Sequence, residues 1–204
     1  SPPRRSSALT SSLEVTDDTG AALVQRADGA VTHDNTPTLS GLATPNASSV
    51  IYNGDVVIGN ATADAAGQWV FDTTTLPDGN YAFHAVATDA AGNSADSVTI
   101  NITIDTVAPE AAGDQSLVND NGATPVVIAD GSSTNDSTPT LSGTAEAGTV
   151  VKVYDGDTLL GSVAVDADGN WSFTTPALND GSHSLTTTVT DAAGNVSAAS
   201  DPIT

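Results

Sequence analysis

The chain has 204 residues, of which 25 are acidic and 4 basic, giving a formal net charge of −21. Such a balance excludes nucleic acid as a partner and disfavours anionic membrane surfaces, because both need Lys/Arg patches. There is no Cys and no Met, so disulfides, thiol nucleophiles and thiolate metal sites are ruled out. No stretch is long and apolar enough to span a bilayer, and no signal peptide is visible.

Residues 1–12 hold two of the four basic residues, two Pro and five Ser. They read as a disordered leader. From residue 13 the chain repeats. Thr36-Pro-Thr-Leu-Ser-Gly41 returns as Thr138-Pro-Thr-Leu-Ser-Gly143, Trp69 as Trp171, Asp78-Gly79 as Asp180-Gly181, and Asp89-Ala-Ala-Gly-Asn93 as Asp191-Ala-Ala-Gly-Asn195. Each recurrence lies 102 residues on. A period this long marks a whole domain in tandem. The expected domains are 13–104 and 105–204, with a linker at about 104–109. Pro109 fixes φ and stiffens that linker.

Inside each copy, short apolar runs alternate with turn signals, and no segment has helical periodicity. In the second copy the runs fall near 115–118, 138–143, 150–154, 159–165, 171–174, 183–190 and 196–204. Ile100, Ile102 and Ile104 alternate with Thr99, Asn101 and Thr103, the period of a half-buried strand. Asn53-Gly54 and Asp155-Gly156 are hairpin signals. Tyr81, Phe83, Ala85 and Ala87 share one strand face, as do His183, Leu185, Thr187 and Val189. Trp69 with Phe71, and Trp171 with Phe173, are the expected core anchors. About seven short strands per hundred residues predict an all-β chain of two tandem immunoglobulin-like sandwiches.

Alternating strands send successive loops to opposite poles. One pole of the first copy should collect Asp18, Asp28, Asp34, the Asn53-Gly-Asp55 turn, Asp78 and the exit at Asp105. The facing pole of the second should collect the linker, the Glu146 turn, Asp166-Ala-Asp168-Gly-Asn170 and the 191–195 loop. Carboxylates crowded at one joint repel unless a cation sits among them. Flexible oxygen ligands fit calcium best, with magnesium second. The 166–170 turn resembles half an EF-hand loop but lacks flanking helices and a closing Glu, so it is not one.

Taken together, Thr-Pro-Thr-Leu-Ser-Gly, the Gly-Asn-Trp-Ser-Phe of 169–173, Asp-Ala-Ala-Gly-Asn and Ile-Asp-Thr-Val-Ala-Pro resemble the bacterial immunoglobulin-like repeats of giant surface adhesins. The resemblance covers nearly everything after the leader. It implies type I secretion to the bacterial cell surface, a part in adhesion and biofilm, and Ca2+ at domain junctions. Carried over by position, the metal residues are Asp105 in the linker, Asp191 in its loop, and Asp18 and Asp34 with their matches Asp120 and Asp136. Asp166 and Asp168 join them from the turn reading. The first copy departs from the pattern: its turn reads Asp64-Ala-Ala-Gly-Gln68, Thr44 stands for Glu146, and its leader lacks the Asp-Thr-Val-Ala-Pro linker.

Nothing else points to chemistry. His33, His84 and His183 have no shared metal-ligand spacing. No Gly-x-Ser-x-Gly, Ser-x-x-Lys or phosphate loop occurs. Lys152, the single lysine, replaces Val50. The sequence therefore reads as a non-enzymatic, monomeric spacer. Its partners are neighbouring repeats of the same chain, and a host or abiotic surface is reached through other domains. The alternative reading is a module that binds a glycan or host protein directly, which needs exposed aromatics on one face.

Overall fold

A computed structural model describes residues 11–204. The expected leader therefore lies outside the described residues up to residue 10. Ser11 and Ser12 correct its end. Ser11 bridges Ala43, and Ser12 exchanges bonds with Leu42 (N–H to O, 2.9 Å; Leu42 N–H to Ser12 Oγ, 2.7 Å). These residues are the first rung of a sheet, so they belong to the first domain.

The chain divides into two compact units between Thr106 and Val107. The sequence reading put the division two residues earlier. Asp105 donates its N–H to Thr32 O at 2.9 Å, and Thr106 gives both its N–H and its hydroxyl to Asp78 Oδ1. Those bonds keep both residues with the first unit.

Unit one contains β1 (Glu14–Asp17), β2 (Val24–Arg26), β3 (Ala30–Thr32), β4 (Thr38–Leu42), β5 (Ser48–Asn53), β6 (Val56–Thr62), β7 (Gln68–Asp72), β8 (Gly79–Thr88), β9 (Ser94–Asp96) and β10 (Ile100–Ile104). One sheet runs β2-β1-β4-β7; the other runs β3-β10-β8-β5-β6, with β9 also on β8. Their inner faces share a core containing Val15, Leu39, Ile51, Trp69, Phe83, Ile102 and Ile104. In β8 the expected face holds: Phe83, Ala85 and Ala87 are fully buried, while the residues between them are not. Phe71 packs over Gly59, where even a methyl group would meet the ring.

Unit two contains β11 (Gly113–Asn119), β12 (Val126–Ile128), β13 (Thr140–Thr144), β14 (Val150–Asp155), β15 (Thr158–Ala164), β16 (Asn170–Thr174) and β17 (Leu185–Thr190). Its sheets run β12-β11-β13-β16 and β15-β14-β17. Leu117, Leu141, Val151, Val153, Trp171, Leu185 and Val189 form its core. Both units are disulfide-free β-sandwiches, and among the described residues there is no helix.

Three details differ from the sequence reading. The short strands β2, β3 and β12 sit inside what reads as one long polar loop; edge strands of three residues give too little alternation to be recognised. The hairpin loops are Gly54-Asp55 and Gly156-Asp157, one residue later than the dipeptide signal, because a bulge at Ile51/Tyr52 and at Val153/Tyr154 shifts the register. Both glycines take φ of 55° there, a left-handed conformation that costs other residues energy. The run 196–204 forms only isolated bridges, Thr190–Val196 and Leu185–Ile203.

Candidate functional site

Strand directions fix what gathers at each end of a unit. In unit one, β1, β3 and β10 all finish at the same end, where β4 and β8 begin. That end holds Asp17, Asp18, Asp34, Asp78 and Asp105. The chain enters at the other end, where Ser11 and Ser12 meet Leu42 and Ala43. In unit two, the chain enters at Gly113, opposite Thr144. There it meets the 145–149 and 166–169 turns, tied together by Ala145 N–H to Gly169 O (2.9 Å) and Val165 N–H to Thr149 O (2.9 Å), and the 191–195 turn, which follows the pairing of Thr190 with Val150. Acid is present at the other ends too, with Asp64 and Asp89 in unit one and Asp120 and Asp136 in unit two, but the groups expected at these two ends lie there, as strand alternation requires. Asp28 is the exception. It sits beside the sheet, where Oδ1 accepts from Asn101 N–H (2.7 Å) and Asn101 Nδ2 (2.8 Å). Those bonds lower its pKa from the ordinary carboxylate value.

What the eight candidate carboxylates do locally is specific. Asp34 is fully buried. Its Oδ2 accepts from Asp18 N–H (3.2 Å), and its Oδ1 accepts from Thr36 N–H (2.9 Å) and Thr36 Oγ1 (3.3 Å). Asp136 repeats this with Asp120 N–H (3.0 Å), Thr138 N–H (2.9 Å) and Thr138 Oγ1 (3.3 Å). Bonds led by the Thr138 N–H hold the Asp136 carboxyl below its ordinary pKa. Asp18 and Asp120 in turn accept from Thr38 (3.1 Å) and Thr140 (2.7 Å). So the structure does bring 18 to 34 and 120 to 136, but through backbone N–H. Each pair braces two loops.

Asp166 and Asp191 open turns of one design. Asp166 Oδ1 accepts from Asp168 N–H (3.0 Å) and Asn170 N–H (2.8 Å). Asp191 Oδ1 accepts from Gly194 N–H (2.8 Å) and Asn195 N–H (2.9 Å), and Asn195 Nδ2 adds a bond to Oδ2 (2.8 Å). Asp64 and Asp89 do the same in unit one. In all four the fourth residue is a glycine at φ between 83° and 98°. The motif Asp-Ala-x-Gly is therefore first a turn-forming device, with the carboxylate closing its own backbone. Asp168 is exposed on the tip of its turn, and Asp105 is half-buried at the end of β10.

Calcium takes six to eight oxygens. Among the described residues, no three His, Cys, Asp or Glu are grouped so as to hold a metal ion. Carboxylate oxygens are of the kind calcium takes, yet among the described residues no ligand set is preassembled.

One charged group escaped the sequence reading. Asp17 is 3% exposed. It pairs with Arg26 and also accepts from Thr32 Oγ1 (2.6 Å), Thr19 Oγ1 (2.7 Å) and Thr19 N–H (3.1 Å). Burial raises its pKa, but Arg26 and the three other donors outweigh that and hold it well below the usual carboxylate range. Unit two has Asn119 and Ile128 at these positions, and Asn119 Nδ2 bonds Thr134 Oγ1 (3.1 Å) and Asn135 Oδ1 (3.0 Å) instead. The signal was present in strand parity: Leu13, Val15 and Asp17 all point inward.

The histidines are all engaged locally. His84 stacks on Tyr52 with centroids 4.8 Å apart, and His33 lies 3.2 Å from Thr19 Oγ1. His183 bridges Asp155 Oδ2 (2.7 Å) and Asn179 O (2.8 Å).

Fold and site together define tandem all-β modules whose polar groups serve turns and loop braces. The chain belongs to the bacterial Ig-like domain family, which it matches twice, at residues 5–106 and 118–204. It is similar in fold to the fibronectin(III)-like modules of Clostridium thermocellum CbhA, at 18% identity and a TM-score of 0.54, covering 91% of this chain and 90% of that one. A biofilm-associated protein BSP domain is also matched, at 19% identity and a TM-score of 0.32, covering 86% of this chain and 28% of the other. No curated protein matches the sequence.

Proposed function

We propose that the chain is a spacer segment of a secreted bacterial surface protein, made of Ig-like repeats that hold an adhesive region away from the cell, and that calcium stiffens the junction between the repeats. The observation that carries the spacer reading is that unit one takes the chain in at one end of its sandwich and releases it at the other. A module built this way adds its own length with every repeat. Family membership supports an extracellular repeat, and the high negative charge supports a soluble, self-repelling chain.

Calcium enters through the junction. The chain leaves unit one at the end bearing Asp18, Asp34, Asp78 and Asp105, and enters unit two at the end bearing Glu146, Asp166, Asp168 and Asp191. We assign Asp105, where the chain leaves unit one, and Asp168, exposed on the tip of its turn, as the leading candidate ligands. Sites of the extracellular class bind with Kd of about 10⁻⁴–10⁻³ M. At tenfold to hundredfold excess, one site adds about 1.4–2.7 kcal/mol of stability.

Small-angle scattering in calcium and then in chelator tests this. The expected result is a longer, narrower distance distribution with calcium, abolished by Asp105→Asn. Identical curves and an unchanged melting temperature in the two buffers would remove calcium from the account and leave the spacer reading standing.

A further inference from the structure

Asparagine precedes glycine at two places in the chain, Asn53-Gly54 and Asn121-Gly122. The pairing is chemically labile. The backbone nitrogen of the following residue can attack the side-chain carbonyl carbon, and glycine, having no Cβ, hinders that approach least. The fold treats the two sites differently.

Asn53 ends β5 and is half-buried. Its Oδ1 accepts from Ala82 N–H at 2.9 Å, while Gly54 N–H donates to Ala82 O at 2.8 Å. Attacking nitrogen and attacked amide are thus both held by one residue of β8. Closing a five-membered ring between them breaks both bonds and takes Asn53 out of its strand. The clamp belongs to the hairpin: in unit two Asp155 Oδ1 accepts from Ser184 N–H and Gly156 N–H donates to Ser184 O, each at 3.0 Å.

Asn121 and Gly122 lie between β11 and β12, outside any strand, and both are exposed. Among the described residues Gly122 N–H meets no hydrogen-bond acceptor. Asn121 Nδ2, the nitrogen that must leave, makes one long bond, to Asn135 O at 3.4 Å. A Cβ on Gly122 would find nothing nearer than Thr124 O at 3.8–4.0 Å scale contact, at 3.9 Å, so the approach is open. Unit one has Thr19-Gly20 at the equivalent positions, with no amide to react.

We infer that Asn121 is a site of spontaneous deamidation and that the hairpin clamp protects Asn53 from the same reaction. Gly122 N loses its proton to solvent base and bonds to Asn121 Cγ. The Cγ–Nδ2 bond breaks, and Nδ2 takes up a proton and leaves as ammonia. Water, the single co-reactant, then opens the cyclic imide. Opening at the Cγ–N bond leaves Asp; opening at the backbone C–N bond leaves isoaspartate, with the main chain running through Cβ. Nothing is oxidised or reduced. Either product adds a carboxylate to a loop that already carries Asp120, whose N–H is held by Asp136 Oδ2 at 3.0 Å. Unit two therefore gains negative charge as the protein ages, and unit one does not.

The full chain, incubated warm at mildly alkaline pH, cut with pepsin and mapped by mass spectrometry, tests this. The peptide holding Asn121 should gain the mass difference between amide and acid and separate into two products of equal mass, Asp and isoaspartate. The peptide holding Asn53 should react at least about tenfold more slowly, because two hydrogen bonds must open first. In urea the two rates should converge. Gly122→Ala, for which there is room, should slow the reaction at Asn121 in the folded chain. Equal rates at the two sites in the folded protein, an Asn121 still intact after the time in which Asn53 reacts in urea, or a difference between the sites that persists in urea would overturn the inference.

Discussion

The Asp17–Arg26 pair offers a sharp test, because the protein carries its own control. Asp17→Asn leaves a guanidinium, only 22% exposed at its side chain, facing a neutral amide. Removing one partner of a buried pair costs about 3–5 kcal/mol, and the partial exposure of Arg26 brings the expected loss to about 2–3 kcal/mol. Arg26→Ile strands a carboxylate that is more deeply buried, so its cost should be about 3 kcal/mol or more. The double variant Asp17→Asn/Arg26→Ile rewrites this corner of unit one as unit two, with Asn119 and Ile128, and should lie within about 1 kcal/mol of the parent. Urea unfolding followed by Trp69 fluorescence, in a Trp171→Phe background, reports unit one alone. A loss of 1 kcal/mol moves the melting point of a unit this size by about 4–8 °C, giving a second readout. If the two single costs and the double cost add to within about 0.5 kcal/mol, the pair is not coupled and the reasoning fails.

Two further predictions concern packing and pH. Gly59→Ala would put its Cβ 2.2 Å from the Phe71 ring, and Gly161→Ala 2.8 Å from Phe173. Overpacking of this kind costs about 1–3 kcal/mol, with Gly59 the worse, and equal melting points for the two variants would contradict it. The His183–Asp155 pair makes unit two pH-sensitive. Bonds to Asn179 O and Asp155 raise the His183 pKa above 6.5, so its contribution is complete below that value and is lost as pH rises through the raised folded one. At Asp155, burial raises the pKa but the bonds from His183 and Ser184 prevail and lower it below 3.8, so that contribution is lost as pH falls through the lowered value. Stability from the pair should therefore peak between these limits, and His183→Ala should flatten the profile of unit two. Unit one, with Asn53 and Tyr81 at the equivalent positions, provides the reference; a His183→Ala profile parallel to the parent's would count against the assignment.

The repeat, the all-β class, the core tryptophans and the turn glycines were all legible in the sequence, because each depends on spacing along the chain. Alternation in β8 decides which side chains face inward whatever the partner strand is. Asp-Ala-x-Gly encodes its own turn through a local carboxylate and a left-handed glycine. The ends at which Asp18, Asp34, Asp166 and Asp191 sit also follow, since strands must alternate in direction. What the carboxylates do at those ends was decided by tertiary structure. Whether Asp34 Oδ2 is open to a cation or holds Asp18 N–H depends on two loops sixteen residues apart in sequence meeting in space. Asp17 looks like one more acid until β1 and β2 pair and bring Arg26 to it. Ile102 and Ile104 are core residues only because β10 runs between β3 and β8, and that requirement concerns neighbours in space, which no run of residues contains.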